Sequence, residues 1–185
     1  MSDVSNMTDA SDLRSGATLW FTGLPSAGKT TLAHALAKRL ADAGYEHVEV
    51  LDGDVAREHL TLGLGFTRED RDENVRRIGW VADVLSRNGV VVLCSVISPY
   101  RAVRDELRAR HQGRFIEIHV ATPVEVCTER DVKGLYARKQ SGELTSPLTG
   151  VDDPYEPPLA AEIIVHTEHQ TIDESVEQLW QALRP

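Results

Sequence analysis

Apolar and polar positions along the chain switch between two spacings, and the switches mark out the elements. Ala17-Thr-Leu-Trp-Phe-Thr22 is a short β-favouring run that stops at Gly23, and Thr31 to Leu40 then carries apolar residues at helical spacing, ending near Gly44. This predicts strand, loop, helix. Residues 47–51 read as a second strand closed by Asp52-Gly53-Asp54, and a charged helical stretch runs over 67–88. Residues 90–96 are apolar almost throughout, as expected of a strand covered on both faces in a parallel sheet. A helix over 100–110 leads to a strand over 115–120, and Pro123 sits at the start of a short helix carrying Cys127 and Arg130. The chain finishes with a strand over 162–166 and an amphipathic helix over 172–183. Strands alternating with helices predict an α/β domain: a central parallel sheet of about five strands, right-handed crossovers, and helices on both faces.

One stretch breaks the pattern. From 131 to 158 core periodicity is lost, while Gly134, Gly142, Pro147, Gly150, Pro154, Pro157 and Pro158 accumulate. So long a segment in a compact domain reads as a functional lid or as disorder. Residues 1–16, rich in Ser, Asp and Asn, read as a flexible tail, leaving 17–185 as a single domain. The 185 residues suffice for one α/β domain with a full core and are too few for two ordinary ones.

Charge and cysteine content narrow the setting. Twenty Lys and Arg against 29 Asp and Glu give a net charge of −9, which disfavours non-specific attraction to nucleic acid or an anionic membrane. Only Lys29, Lys38, Lys133 and Lys139 are lysines; the other cations are arginines, whose forked donors suit phosphate, sulfate and carboxylate. Cys94 and Cys127 make no disulfide framework and read as core thiols of a cytoplasmic protein. No apolar run is long enough for a bilayer span, no signal or transit peptide is recognisable, and the histidines show no metal-ligand spacing.

The candidate chemistry starts at Gly23-Leu-Pro-Ser-Ala-Gly28-Lys29-Thr30, which satisfies G-x-x-x-x-G-K-S/T between a strand and a helix. Glycines let backbone N–H groups curl around phosphates, Lys29 reaches the β- and γ-phosphates, and Thr30 ligates Mg²⁺. A P-loop alone leaves switch GTPases, motors and small-molecule kinases open. The absence of an N-K-x-D string, the short chain and the lid-like segment favour a kinase that closes over its acceptor.

Two further clusters support that reading. Asp52 and Asp54 close the second strand, where α/β ligands bind, and can orient Mg²⁺ or accept a proton; an Asp-Gly turn with a helix N-cap explains them equally well. In the segment 67–78, Arg71, Asn74 and Ile78 fall at i, i+3 and i+7. One helical stripe thus mixes a fork donor, an amide and an apolar contact, although a solvated, salt-bridged face is the simpler account of so many charges.

Taken together, these motifs resemble the adenylylsulfate kinase family. The resembling strings are 23–31, Leu-Asp-Gly-Asp (51–54) with Arg57, Leu-Gly-Phe (64–66), and Glu-Asp-Arg-Asp-Glu-Asn-Val-Arg-Arg-Ile-Gly (69–79). They continue with Ile-Ser-Pro-Tyr-Arg (97–101), Arg-Asp-Val-Lys-Gly-Leu-Tyr (130–136) and Thr-Gly-Val-Asp-Asp-Pro-Tyr-Glu-Pro-Pro (149–158). The resemblance implies a three-layer P-loop kinase fold and ATP-dependent phosphorylation of adenosine 5′-phosphosulfate at its ribose 3′-hydroxyl, with Mg²⁺. It also implies a homodimer and an association with ATP sulfurylase.

Roles follow by resemblance. Ser26, Ala27, Gly28, Lys29, Thr30 and Thr31 would hold ATP, with Arg130 near its base and Thr30 and Asp52 near Mg²⁺. Asp54, Arg57, Phe66, Arg71, Asn74, Ile97, Ser98 and Leu148 would form the acceptor site, and Lys29, Asp52, Asp54 and Lys133 would serve the transfer. Ser98 also resembles a serine proposed in the family to be phosphorylated transiently, an intermediate direct transfer does not need. Two departures fall on the acceptor side: Val55-Ala56 stand where the family has Asn-Val, and Ser146-Pro147-Leu148 stand where it has a Gly-Phe pair that stacks on the acceptor base. They keep open a kinase with a different hydroxylated acceptor, beside a catalytically silent nucleotide-binding module.

Overall fold

A computed structural model describes residues 13–183. Five strands, β1 (Ala17–Thr22), β2 (Val48–Asp52), β3 (Val91–Ser95), β4 (Phe115–Val120) and β5 (Ile163–Val165), form one sheet in the order β2-β3-β1-β4-β5. All neighbours are parallel, with Trp20 in register with Cys94 on one side and Glu117 on the other. This is the expected α/β layering.

Side-chain alternation along β1 divides the interior in two. Leu19 and Phe21 point into a core shared with Leu32, Leu36 and Leu40 of α1 (Lys29–Asp42) and Leu179 of α7 (Ile172–Leu183). Trp20 points the other way, into a core with Val75 and Ile78 of α3 (Arg68–Ser86) and Val103 and Leu107 of α4 (Arg101–Arg110). Central β1 is buried along its whole length, so its sequence shows no polar face.

Three elements differ from the sequence expectation. Helix α2 (Gly53–His59) follows β2 directly; none of its residues is buried, so it has no apolar stripe to detect. The segment 131–158 contains α6 (Leu135–Gln140), after α5 (Val124–Arg130), and buries Tyr136, Leu148 and Thr149. Its order comes from turns tied by side chains: the Asp131 carboxylate accepts the N–H groups of Tyr136 and Ala137, and Tyr136 Oη donates to Pro25 O at 3.2 Å. Such ties leave no periodic trace. The expected N-terminal tail lies outside the described residues over 1–12, while Leu13–Ser15 forms a 3₁₀ turn whose Leu13 is buried in the core.

Cys94 and Cys127 are buried and unbridged, as read from the sequence. Trp180 packs at the edge of the first core with the Arg39 guanidinium 5.1 Å from its ring, whereas Trp80 is exposed. No helix among the described residues is long and apolar enough to cross a membrane.

Candidate active site

The carboxyl ends of β1, β2 and β3 open into a cavity of about 330 Å³, roofed by residues of the 131–158 segment. Ile78 of the α3 stripe lies in the second core, while every residue given a site role by resemblance lines the cavity except Ala27 and Arg130. Those two lie behind the phosphate loop: the Ala27 carbonyl accepts from Thr122 Oγ1 at 3.0 Å and Thr167 Oγ1 at 3.1 Å, and Arg130 donates to Thr167 O at 2.8 Å.

One end of the cavity is the phosphate loop. Gly23 sits at φ +152, where a Cβ would come within 2.5 Å of the Val120 carbonyl oxygen, and Gly28 caps α1 at φ +105. Helix α1 therefore begins at Lys29, two residues ahead of the helical run read from Thr31. Lys29 Nζ donates to the carbonyls of Gly23 at 3.0 Å and Leu24 at 2.7 Å. Burial, reinforced by the nearby Lys133 cation, lowers its pKa to about 8.

Asp52 joins the two readings its sequence left open. Its Oδ1 caps α2 by accepting the Asp54 N–H at 2.8 Å, while Oδ2 accepts the Thr30 hydroxyl at 2.7 Å, with Ser95 Oγ 2.9 Å from that same hydroxyl. Among the described residues no group of three or more His, Cys, Asp or Glu is arranged to hold a metal. The hard oxygens of Thr30 and Asp52 fit Mg²⁺, which takes few protein ligands and fills its shell with phosphates and water. Asp54 pairs with Lys133 of the roofing segment, so this cation spans the cavity mouth.

The other end is built from arginines. Phe66 carries the Arg57 guanidinium 4.6 Å and the Arg71 guanidinium 5.6 Å from its ring centre. Arg57 donates to Gly65 O at 3.2 Å; burial and the neighbouring Arg71 hold its pKa below the usual arginine value. Arg71 is buried and donates to Phe66 O at 3.1 Å and Pro147 O at 2.7 Å. Asn74 accepts from Thr61 Oγ1 at 2.7 Å, so the stripe of Arg71, Asn74 and Ile78 faces inward rather than to solvent. Leu148 is buried in the roof where stacking by an aromatic residue was the family expectation.

Ser98 holds a left-handed backbone at φ +41 and is almost fully buried. Its hydroxyl accepts Trp20 Nε1–H at 3.0 Å and donates to Thr22 Oγ1 at 3.0 Å, which leaves it engaged in the wall. Sequence reasoning gave no role to Arg104, fully buried on α4. It donates to Glu117 Oε1 at 2.7 Å, Ser98 O at 2.6 Å and Glu156 O at 2.6 Å, fixing the 97–99 loop to the end of the roofing segment. Its position beside Val103 and one turn before Leu107 gave no hint, since its partners lie on β4, in the 97–99 loop and in the roofing segment.

A parallel sheet in P-loop order, a lysine-bearing phosphate loop and an arginine-lined acceptor end define a P-loop phosphotransferase. The comparisons narrow that class: the family model described as adenylylsulphate kinase matches residues 15–166. The chain belongs to the adenylylsulphate kinase family. An adenylyl-sulfate kinase of Rippkaea orientalis is 58% identical over 168 residues, 91% of each chain. The Mycobacterium tuberculosis APS kinase solved in complex with AMPPNP and APS is 38% identical, with a TM-score of 0.85 over 91% of this chain and 97% of that one. A hexameric APS kinase from Thiobacillus denitrificans is also 38% identical, with a TM-score of 0.69, this chain covering 29% of that one.

Proposed function

We propose that the chain phosphorylates the ribose 3′-hydroxyl of adenosine 5′-phosphosulfate using ATP. The observation that carries this reading is one cavity with a phosphate loop at one end and the Arg57–Phe66–Arg71 stack at the other, bridged by Asp54 and Lys133. The Mycobacterium tuberculosis relative is solved with APS and the nucleotide AMPPNP, and the Rippkaea orientalis relative is named as an adenylyl-sulfate kinase.

In this reading ATP lies along residues 26–31, and its γ-phosphoryl group points past Asp54 toward the acceptor. Mg²⁺, held by Thr30 and Asp52, would neutralise charge on the β- and γ-phosphoryl oxygens. Lys29 binds the phosphoryl oxygens as charge moves toward the leaving group. Asp54 sits at the cavity mouth as acceptor for the hydroxyl proton, and Lys133 answers the charge between donor and acceptor. Arg71 and Asn74 hold the phosphosulfate and sugar, Phe66 presents its ring to the acceptor base, and Arg130, through Thr167, borders the ATP base. Engagement of Ser98 by Trp20 and Thr22 supports direct transfer over a phosphoserine.

Residues 131–158 act as the lid, and the protein works in the cytoplasm as a homodimer, in association with an ATP sulfurylase. The test is incubation of the purified chain with ATP, Mg²⁺ and adenosine 5′-phosphosulfate, with the 3′-phosphorylated product resolved by chromatography. ATP binding without that product would overturn the reading; transfer to another hydroxylated metabolite would select a different acceptor.

A further inference from the structure

Asp153 stands in the roofing segment with none of the roles assigned above, yet three groups converge on its carboxylate. Tyr100 Oη donates to Oδ1 at 2.8 Å, Thr149 Oγ1 donates to Oδ2 at 3.2 Å, and Arg71 Nε lies 3.4 Å from Oδ2. The pair is sheltered: the side chains of Arg71 and Asp153 are 8% and 14% exposed. The Asp153 carbonyl in turn accepts the Gly150 N–H at 2.8 Å, closing the turn over 149–153.

The contacts to Arg71 are distributed unevenly over its guanidinium. Nε faces Phe66 O and Asp153, and Nη2 donates to Pro147 O, while Nη1 takes no protein partner among the described residues. The group is therefore held along its inner edge with the opposite nitrogen left for a ligand. Two arginines lie close here: the Arg57 and Arg71 guanidinium groups sit 4.6 and 5.6 Å from the centre of the same Phe66 ring, and each disfavours the other's charge. A carboxylate beside Arg71 offsets that repulsion, which a buried cation otherwise bears uncompensated.

We infer that Asp153 is a positioning residue: it holds Arg71 from behind so that its free nitrogen meets the anionic group of the acceptor, and it ties the 149–153 turn to that arginine. The acceptor's identity rests on the function proposed above; the Asp153–Arg71 coupling does not. Binding of an anion at Arg71 and ordering of the turn then become one event.

The experiment is a double-mutant cycle on the full chain with Asp153→Asn, Arg71→Ala and both. Asp153→Asn is expected to raise the KM for adenosine 5′-phosphosulfate about tenfold, with the ATP KM within about twofold. In the Arg71→Ala background it should add less than about twofold. Amide hydrogen exchange over 149–153 should quicken in either single variant and no further in the double. Equal effects in both backgrounds, or a rise in ATP KM alongside a lowered Tm, would mean a structural role only and overturn the inference. If Asp153→Asn does not fold, Asp153→Ser is read the same way. Absence of turnover by the unaltered chain would sink the acceptor assignment, while the exchange cycle would still judge the coupling.

Discussion

The two ends of the cavity are made in opposite ways. The donor end is nine consecutive residues, 23–31, threaded between β1 and α1, and its donors are largely backbone N–H groups whose directions follow from the turn itself. The acceptor end gathers side chains from α2, the loop before α3, α3 itself, the β3–α4 loop and the roofing segment, and joins them by hydrogen bonds that include one to a carbonyl far away in sequence. Arg71 to Pro147 spans 76 residues. A local motif can bind phosphate wherever a strand and helix flank it; an assembled site exists only once the whole domain has closed around it.

The largest effect should come from the local end. Lys29→Met is expected to lower kcat by about 10³-fold, since it removes a cation from the transferring phosphoryl group. Steady-state ADP release checks this, with circular dichroism to confirm the fold. Arg71→Ala should raise the acceptor KM about 10- to 100-fold and leave the ATP KM alone; a comparable rise in both would show that the two ends are not separable. Ser98→Ala should keep turnover while lowering unfolding free energy by about 1–3 kcal/mol, because the buried Trp20 N–H loses its acceptor. Abolished turnover in a folded Ser98→Ala chain would instead restore the phosphoserine.

The smallest effect is a fraction of a proton. Lys29 has its pKa lowered to about 8, so near that pH the free chain carries the lysine about half protonated. A bound triphosphate stabilises the charged form and raises the pKa, so binding takes up about half a proton from this group at pH 8 and almost none near pH 6.5. Calorimetry in buffers of different ionisation enthalpy measures the uptake, which Lys29→Met should abolish.

The same contrast explains what was legible in the sequence. The strands, their parallel sheet and the layering followed from the alternation of strand and helix patterns, and the phosphate loop from a contiguous string; the strand order came only from the structure. Phe66 was reached only through resemblance; Arg71 and Asn74 stood out by helical spacing, and their burial contradicted the solvated face that the surrounding charges favoured. Helix α2 escaped because it buries nothing, and α6 because its order rests on the Asp131 cap. Arg104 gave no signal, and Asp153 stood in a resembling string without a role: a buried polar residue is defined by its partners, and theirs lie on other elements. Such roles leave no period in the sequence.

Asp52 has a consequence for anyone altering this chain. One carboxylate oxygen starts a helix and the other meets the hydroxyl at the phosphate loop. Asp52→Asn would preserve much of the helix start yet weaken a metal site, and Asp52→Ser, a good cap in its own right, would be too short to serve both. Stability and catalysis are therefore wired through the same atoms at this position. Improving one by substitution there is bound to be felt by the other.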